Sequence, residues 1–113
     1  MGEVSTRISH RAVDVAVADG VVQLLERNSR RVRALLFNAT VVGTGSTVYA
    51  GNSVDHSNAA LAAANGWPLN EETVAAGEGW KLPANVLELF TQDAVYGLAA
   101  GADATVKIIE ELK

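Results

Sequence analysis

Two histidines, an aspartate beside one of them and a Gly-Thr-Gly-Ser stretch are the residues of this chain whose types suit chemistry. Asp55-His56, with His10 far upstream, would make a general base or half of a metal pair. A metal site needs three or more converging ligands, and with no cysteine and only two histidines the chain is short of them. No serine stands in the setting of a nucleophile activated by a histidine and an acid. His56 is expected in a surface loop and His10 on a strand edge. Gly43-Thr44-Gly45-Ser46-Thr47 invites comparison with a phosphate loop. The Walker pattern ends its glycines in Lys and then Ser or Thr; the dinucleotide fingerprint needs a third glycine where Val48 stands, then a helix. Neither is met, so a hairpin turn is expected. The reading is of a non-enzyme with no catalytic, cofactor-binding or metal residues.

Partner contacts are the better prospect. Arg27, Arg30, Arg31 and Arg33 form a local basic cluster in an acidic protein. Such a cluster suits a docking face for an acidic surface, or a solvated strand edge whose charges discourage stray pairing. Trp67 and Trp80, with Tyr49 and Tyr96, are the large aromatics. They suit core or subunit contacts, or a platform on which a sugar stacks.

These residues need a frame, and 113 residues give one domain, able to bury roughly two thirds of its unfolded surface. Hydrophobic residues make up 49%, but many are Ala and Val, so the core is thin and gains from neighbouring subunits. Nine basic against thirteen acidic residues leave a net charge of -4, which argues against nucleic acid, whose binding draws on Lys and Arg at phosphates. With no cysteine there are no disulfides. No apolar run approaches the roughly 20 residues of a membrane-spanning helix. The N-terminus lacks the apolar stretch of a secretory signal, so synthesis in a cytoplasm is expected.

Residues 1–8 read as a flexible arm and 9–113 as one domain. Val13, Val15 and Val17 alternate with Asp14 and Ala16, the period of a strand. Asp19-Gly20 reads as a hairpin turn, followed by Val21–Leu25. A helix over Val21–Leu36 competes, but Asn28-Ser29 in mid-span and β-branched neighbours disfavour it. Arg31–Asn38, Val48–Asn52, Val86–Phe90 and Ala94–Ala99 read as strands. Ala104–Leu112 does too, because Thr-Val-x-Ile-Ile is β-branched. Ser57 or Asn58 caps a short Ala-rich helix that Asn65-Gly66 ends. Trp67-Pro68-Leu69 must be extended, since the residue before proline avoids the helical region. Short segments are expected at Thr73-Val74 and Trp80–Leu82, with a turn at Ala76–Gly79. About eight short strands between turns is the pattern of an all-β sandwich or barrel. Val13, Val15, Leu35, Phe37, Val48, Leu87, Leu89 and Val106 are the expected core; Trp67, Trp80 and Asn58–Asn65 are placed at a contact with another subunit or a partner.

The order of these features resembles a group of small tailed-phage structural proteins. The likeness is carried by Leu24-Leu25, Asn28-Ser29-Arg30, Arg33–Asn38, Thr47–Gly51, Gly66–Leu69, Ala76-Gly77-Glu78 and Val95–Ile108, across about residues 12 to 109. The Ala-rich insertion at Asn58–Asn65 departs from it. The resemblance implies a small antiparallel β-sandwich, jelly-roll-like, of the capsid decoration or cement type. Such a protein binds the outside of a phage head as a homotrimer, so the implied partners are its own copies and the major capsid protein, and the implied location is the virion surface. A carbohydrate- or receptor-binding module of a fibre or tail is the alternative.

Overall fold

The computed structural model describes residues 7–41, 43–71 and 86–113. The strands are β1 (Arg7–Val15), β2 (Val21–Leu25), β3 (Arg31–Asn38), β4 (Thr47–Gly51), β5 (Trp67–Asn70), β6 (Val86–Leu89), β7 (Val95–Ala100) and β8 (Ala104–Leu112). One helix, α1 (Ala59–Asn65), lies between β4 and β5. Asn58 caps it by accepting from the Leu61 N–H at 2.9 Å, and the Gly66 N–H closes it on the Ala62 carbonyl. β1 begins at Arg7, so the domain takes in two residues expected in the arm. The segments expected at Thr73-Val74, Ala76–Gly79 and Trp80–Leu82 lie outside the described residues.

The strands form two antiparallel four-stranded sheets. Sheet A has the order β1-β8-β3-β6 and sheet B the order β2-β7-β4-β5. Within them β1 pairs with β8, β2 with β7, β3 with β6 and β4 with β5. The first strand thus joins the last, the second the next to last, and so on inward: one long hairpin folded over itself, which is a jelly roll. Among the described strands only β4 and β5 are neighbours in both chain and sheet. The turns expected to close hairpins, at Asp19-Gly20 and Gly43–Ser46, instead carry the chain from one sheet to the other, as Gly101–Asp103 also does. Sheet-changing corners use the same Gly, Asp and Ser residues as hairpins, so local turn chemistry does not tell them apart.

The core lies between the sheets. Leu36, Val106, Ile108 and Val15 of sheet A meet Leu24, Leu25, Val48, Leu69 and Val95 of sheet B, all buried. Val13, Leu87 and Leu89 pack against this cluster as expected. Leu35 and Phe37 do not belong to it. Ala34 and Leu36 point inward, so the alternation of a strand sends Leu35 and Phe37 to the outer face of sheet A. Asn38, fully buried, ties the layers together: its side-chain amide donates to the Leu69 carbonyl at 3.0 Å, across from β3 to β5.

Candidate functional site

The two imidazoles do not meet. His10 is exposed on β1, the edge strand of sheet A, as expected. His56 follows β4, on the other sheet, and is buried rather than at the surface of its loop. Its Nε2 lies 2.9 Å from the Tyr49 carbonyl, so Nε2 carries the proton, and Nδ1 has no hydrogen-bond partner. The ring fills the space above Gly51, where a Cβ would stand 2.6 Å from it. His56 is a packing residue held under a turn whose N–H groups, at Val54 and Asp55, donate to the Asn52 side chain. Among the described residues no three His, Cys, Asp or Glu converge to hold a metal ion.

The Gly43–Ser46 turn does bind an anion, but one from its own chain. Positive φ at Gly43 and Gly45 turns the loop N–H groups toward a common point. The Glu71 carboxylate sits there, accepting from Gly43 at 2.8 Å, Gly45 at 2.9 Å and Ser46 at 3.1 Å. The Ser46 N–H, with those of Gly43, Gly45 and Thr44, holds this carboxyl below its ordinary pKa, against a smaller opposing effect of burial. Sequence reasoning did not join Glu71 to the loop; a residue some 25 positions away gives no local sign of it.

The arginine cluster is dispersed by one irregularity. The pairing of β3 with β8 shifts between Arg31 and Arg33, so these residues, two apart, face opposite sides. Arg31 is a correction: it is 2% exposed and cannot form part of a docking surface in the folded chain. Its guanidinium donates to Glu110 at 3.0 Å, to the carbonyls of Thr91 and Asp93 at 3.1 Å each, and to the Glu26 carbonyl. Arg11 reaches the same Glu110 at 3.6 Å and the Leu24 carbonyl at 2.6 Å. The group closes one end of the sandwich. Arg30 is exposed and donates to the Lys113 carbonyl at 2.8 Å. Arg33 pairs with Glu88 at 3.3 Å and Glu111 at 3.4 Å, and Arg27 is exposed.

Trp67 is 61% exposed on β5, beside a cleft of about 370 Å3 among the described residues of β4, β5 and β6. Leu87 and Leu89 line it, and Asn52, Thr91 and Asp93 add polar groups. Trp80 lies outside the described residues. Tyr49 and Tyr96 are half-buried on β4 and β7.

The two outer faces are unequal. That of sheet B is covered by the Ala-rich insertion: α1 packs on β4 and β7, burying Ala62, His56 and the outward-pointing Leu98. That of sheet A has no such cover among the described residues. Leu35 and Phe37 from β3, Val86 from β6, Ile109 and Lys107 from β8, and His10 and Ala12 from β1 line an open groove of about 490 Å3 there. Ile8 is 63% exposed on the same face, Ile109 38% and Val86 36%. Ion pairs of Arg33 with Glu88 and Glu111 stand at one end, and Asp14 with Thr105 at the other. An apolar centre within a polar rim is the anatomy of an interface between proteins. The signal was present in Ala34-Leu35-Leu36-Phe37: an apolar run with no alternation belongs to a strand that wants cover on both faces. Comparison of the chain with protein-family models and with curated proteins finds no match.

Proposed function

We propose that this protein is a virion structural module of the capsid decoration or cement type, which binds the outside of a phage head and stabilises it. The observation that carries the reading is the apolar face of sheet A, which no described residue covers, beside a sheet B on which α1 packs. An apolar surface left open on one side of so small a domain calls for a partner. The ordered likeness to small tailed-phage structural proteins supplies the kind of partner, the major capsid protein together with copies of this chain. The jelly roll fits the reading, being a frequent architecture of capsid domains.

The mechanism is mechanical rather than chemical. A rigid two-layer sandwich presents Leu35, Phe37, Val86 and Ile109 on strands, so the contact surface costs little ordering on binding. Laid across a boundary between shell subunits, it adds interface that must break before the shell opens. An interface of about 800 Å2 per partner suffices for stable attachment. The test is co-sedimentation of purified protein with heads that lack it. Saturable binding that raises the temperature at which heads open supports the proposal, and Phe37→Asp, outside the core, should abolish that binding. No association at saturating protein removes it.

One observation favours a second reading, a glycan-binding module. Trp67 stands exposed beside a cleft furnished with Asn52, Thr91 and Asp93, which suits a sugar ring stacked on indole with its hydroxyls hydrogen-bonded. Quenching or shift of tryptophan fluorescence by soluble oligosaccharide, lost in Trp67→Ala, would support it over the first.

A further inference from the structure

Among the described strands four end the two sheets, β1 and β6 in sheet A and β2 and β5 in sheet B. Each offers a row of backbone N–H and C=O groups to any strand that comes alongside. Three of them carry a defence. β5 spans only Trp67–Asn70 and contains Pro68, which has no N–H to give. β6 spans only Val86–Leu89. β2 is five residues long and its register breaks between Gln23 and Leu25, the kind of irregularity that spoils an edge. β1 has none of these. It runs nine residues from Arg7 to Val15 without Pro or Gly, keeps an unbroken register with β8, and is exposed from Arg7 to Ala12. Its inward-facing charge, Arg11, is already occupied by the Leu24 carbonyl and Glu110.

We infer that β1 pairs antiparallel with β1 of a second copy about a two-fold axis at Ala12, joining two A sheets into one continuous sheet. A two-fold axis perpendicular to the sheet keeps inner faces on one side, so opposed residues must share the strand's alternation. Three centres then lie in the exposed middle of β1. Centring on Arg11 sets guanidinium against guanidinium, and like charges directly opposite destabilise a pair. Centring on His10 sets imidazole against imidazole and gives Asp14 no described residue of β1 across the seam. Centring on Ala12 puts a methyl group on the axis and His10 opposite the partner's Asp14, twice. One Asp14 oxygen accepts from the Thr105 hydroxyl at 3.2 Å, leaving the other for the imidazole N–H. This register alone gives opposite-charge or hydrogen-bonded pairs and no like pair, which is why the occupant is a second copy rather than an unrelated strand.

The pairing is closed and isologous. It implies an even number of copies, where the phage resemblance implies three. Seven residues per strand make a small interface, at the weak end of the range. It also sets the two outer faces of sheet A side by side on one surface.

Cysteine substitution reads the register directly, because the chain has no native thiol. His10→Cys, Arg11→Cys and Ala12→Cys each place one thiol at a candidate axis, all on exposed positions. At roughly 100 µM, a concentration suited to a weak interface, Ala12→Cys should form disulfide-linked dimer under mild oxidation at least tenfold faster than the other two. His10→Glu or Asp14→Lys added singly to Ala12→Cys should suppress the cross-link, and the two together should restore it. The wild-type mass at that concentration should move toward twice 11.8 kDa. Faster cross-linking at position 10 or 11, none at position 12, or a wild-type trimer overturns the inference. It does not rest on the capsid reading: a chain that cross-links at Ala12 and binds no head would uphold the pairing and remove that reading.

Discussion

Leu36→Ala and Phe37→Ala, adjacent substitutions on β3, should differ several-fold in cost. Leu36 is fully buried in the cluster between the sheets, while Phe37 is half-buried beside an open groove on the outer face. Truncating a buried leucine loses its transfer free energy and leaves a cavity, a cost of about 3 kcal/mol in the middle of the usual span. A domain of this size loses about 4 °C of Tm per kcal/mol, so the midpoint should fall by about 12 °C. Phe37→Ala gives up about half of a phenyl group's burial, about 1 kcal/mol. It leaves no cavity, because the groove already admits solvent, so its midpoint should fall by about 4 °C. The assay is thermal unfolding followed by tryptophan fluorescence, with chain dilute enough that assembly adds nothing. An equal or larger loss for Phe37→Ala would refute the register of β3, since a one-residue slip exchanges the two faces.

Arg31→Met should cost about 3 kcal/mol in the same assay, because it takes from the buried Glu110 its 3.0 Å partner and from the part-buried carbonyls of Glu26, Thr91 and Asp93 their donor. Arg27→Ala, at an exposed position, should change the stability by less than about 0.5 kcal/mol. Glu71 has a depressed folded pKa, so its contribution is present above the unfolded carboxylate value and disappears as pH falls through the folded one. The Tm difference between wild type and Glu71→Gln should therefore be constant near neutrality and shrink on acidification below the ordinary carboxylate range. Gly51→Ala should lower the Tm, because its methyl would stand 2.6 Å from the His56 ring; adding His56→Ala should recover part of the loss, read by a double-mutant cycle.

Much of the secondary structure could be read from residue types, and the topology could not. The alternation at Val13–Val15 and the β-branched run from Thr105 declare strands, although Val17, expected to continue the first, opens a 3-10 turn; Asn58 with Asn65-Gly66 frames a helix, because each signal acts within a few residues. The partner of each strand is set by closure of the whole sandwich. The mating of β1 with β8 spans nearly the full described chain, and Asp19-Gly20 holds no trace of whether it returns the chain within a sheet or across to the other. The face of Leu35 and Phe37 was hidden for a different reason: four apolar residues in a row satisfy either parity. Arg31 was hidden by the register shift beside it, which reversed the side expected of it relative to Arg33. The likeness that led to a capsid partner rests on the order of short motifs. The apolar face of sheet A, uncovered among the described residues, is an independent reason to look for a partner there.

A cryo-EM map of heads incubated with the purified chain tests the central claim most directly. The account predicts a two-layered density on the outer surface of the shell, with the face bearing Leu35, Phe37 and Ile109 toward the lattice and α1 toward solvent. Heads that carry no added density, or density that meets the shell through α1 and sheet B, would contradict it.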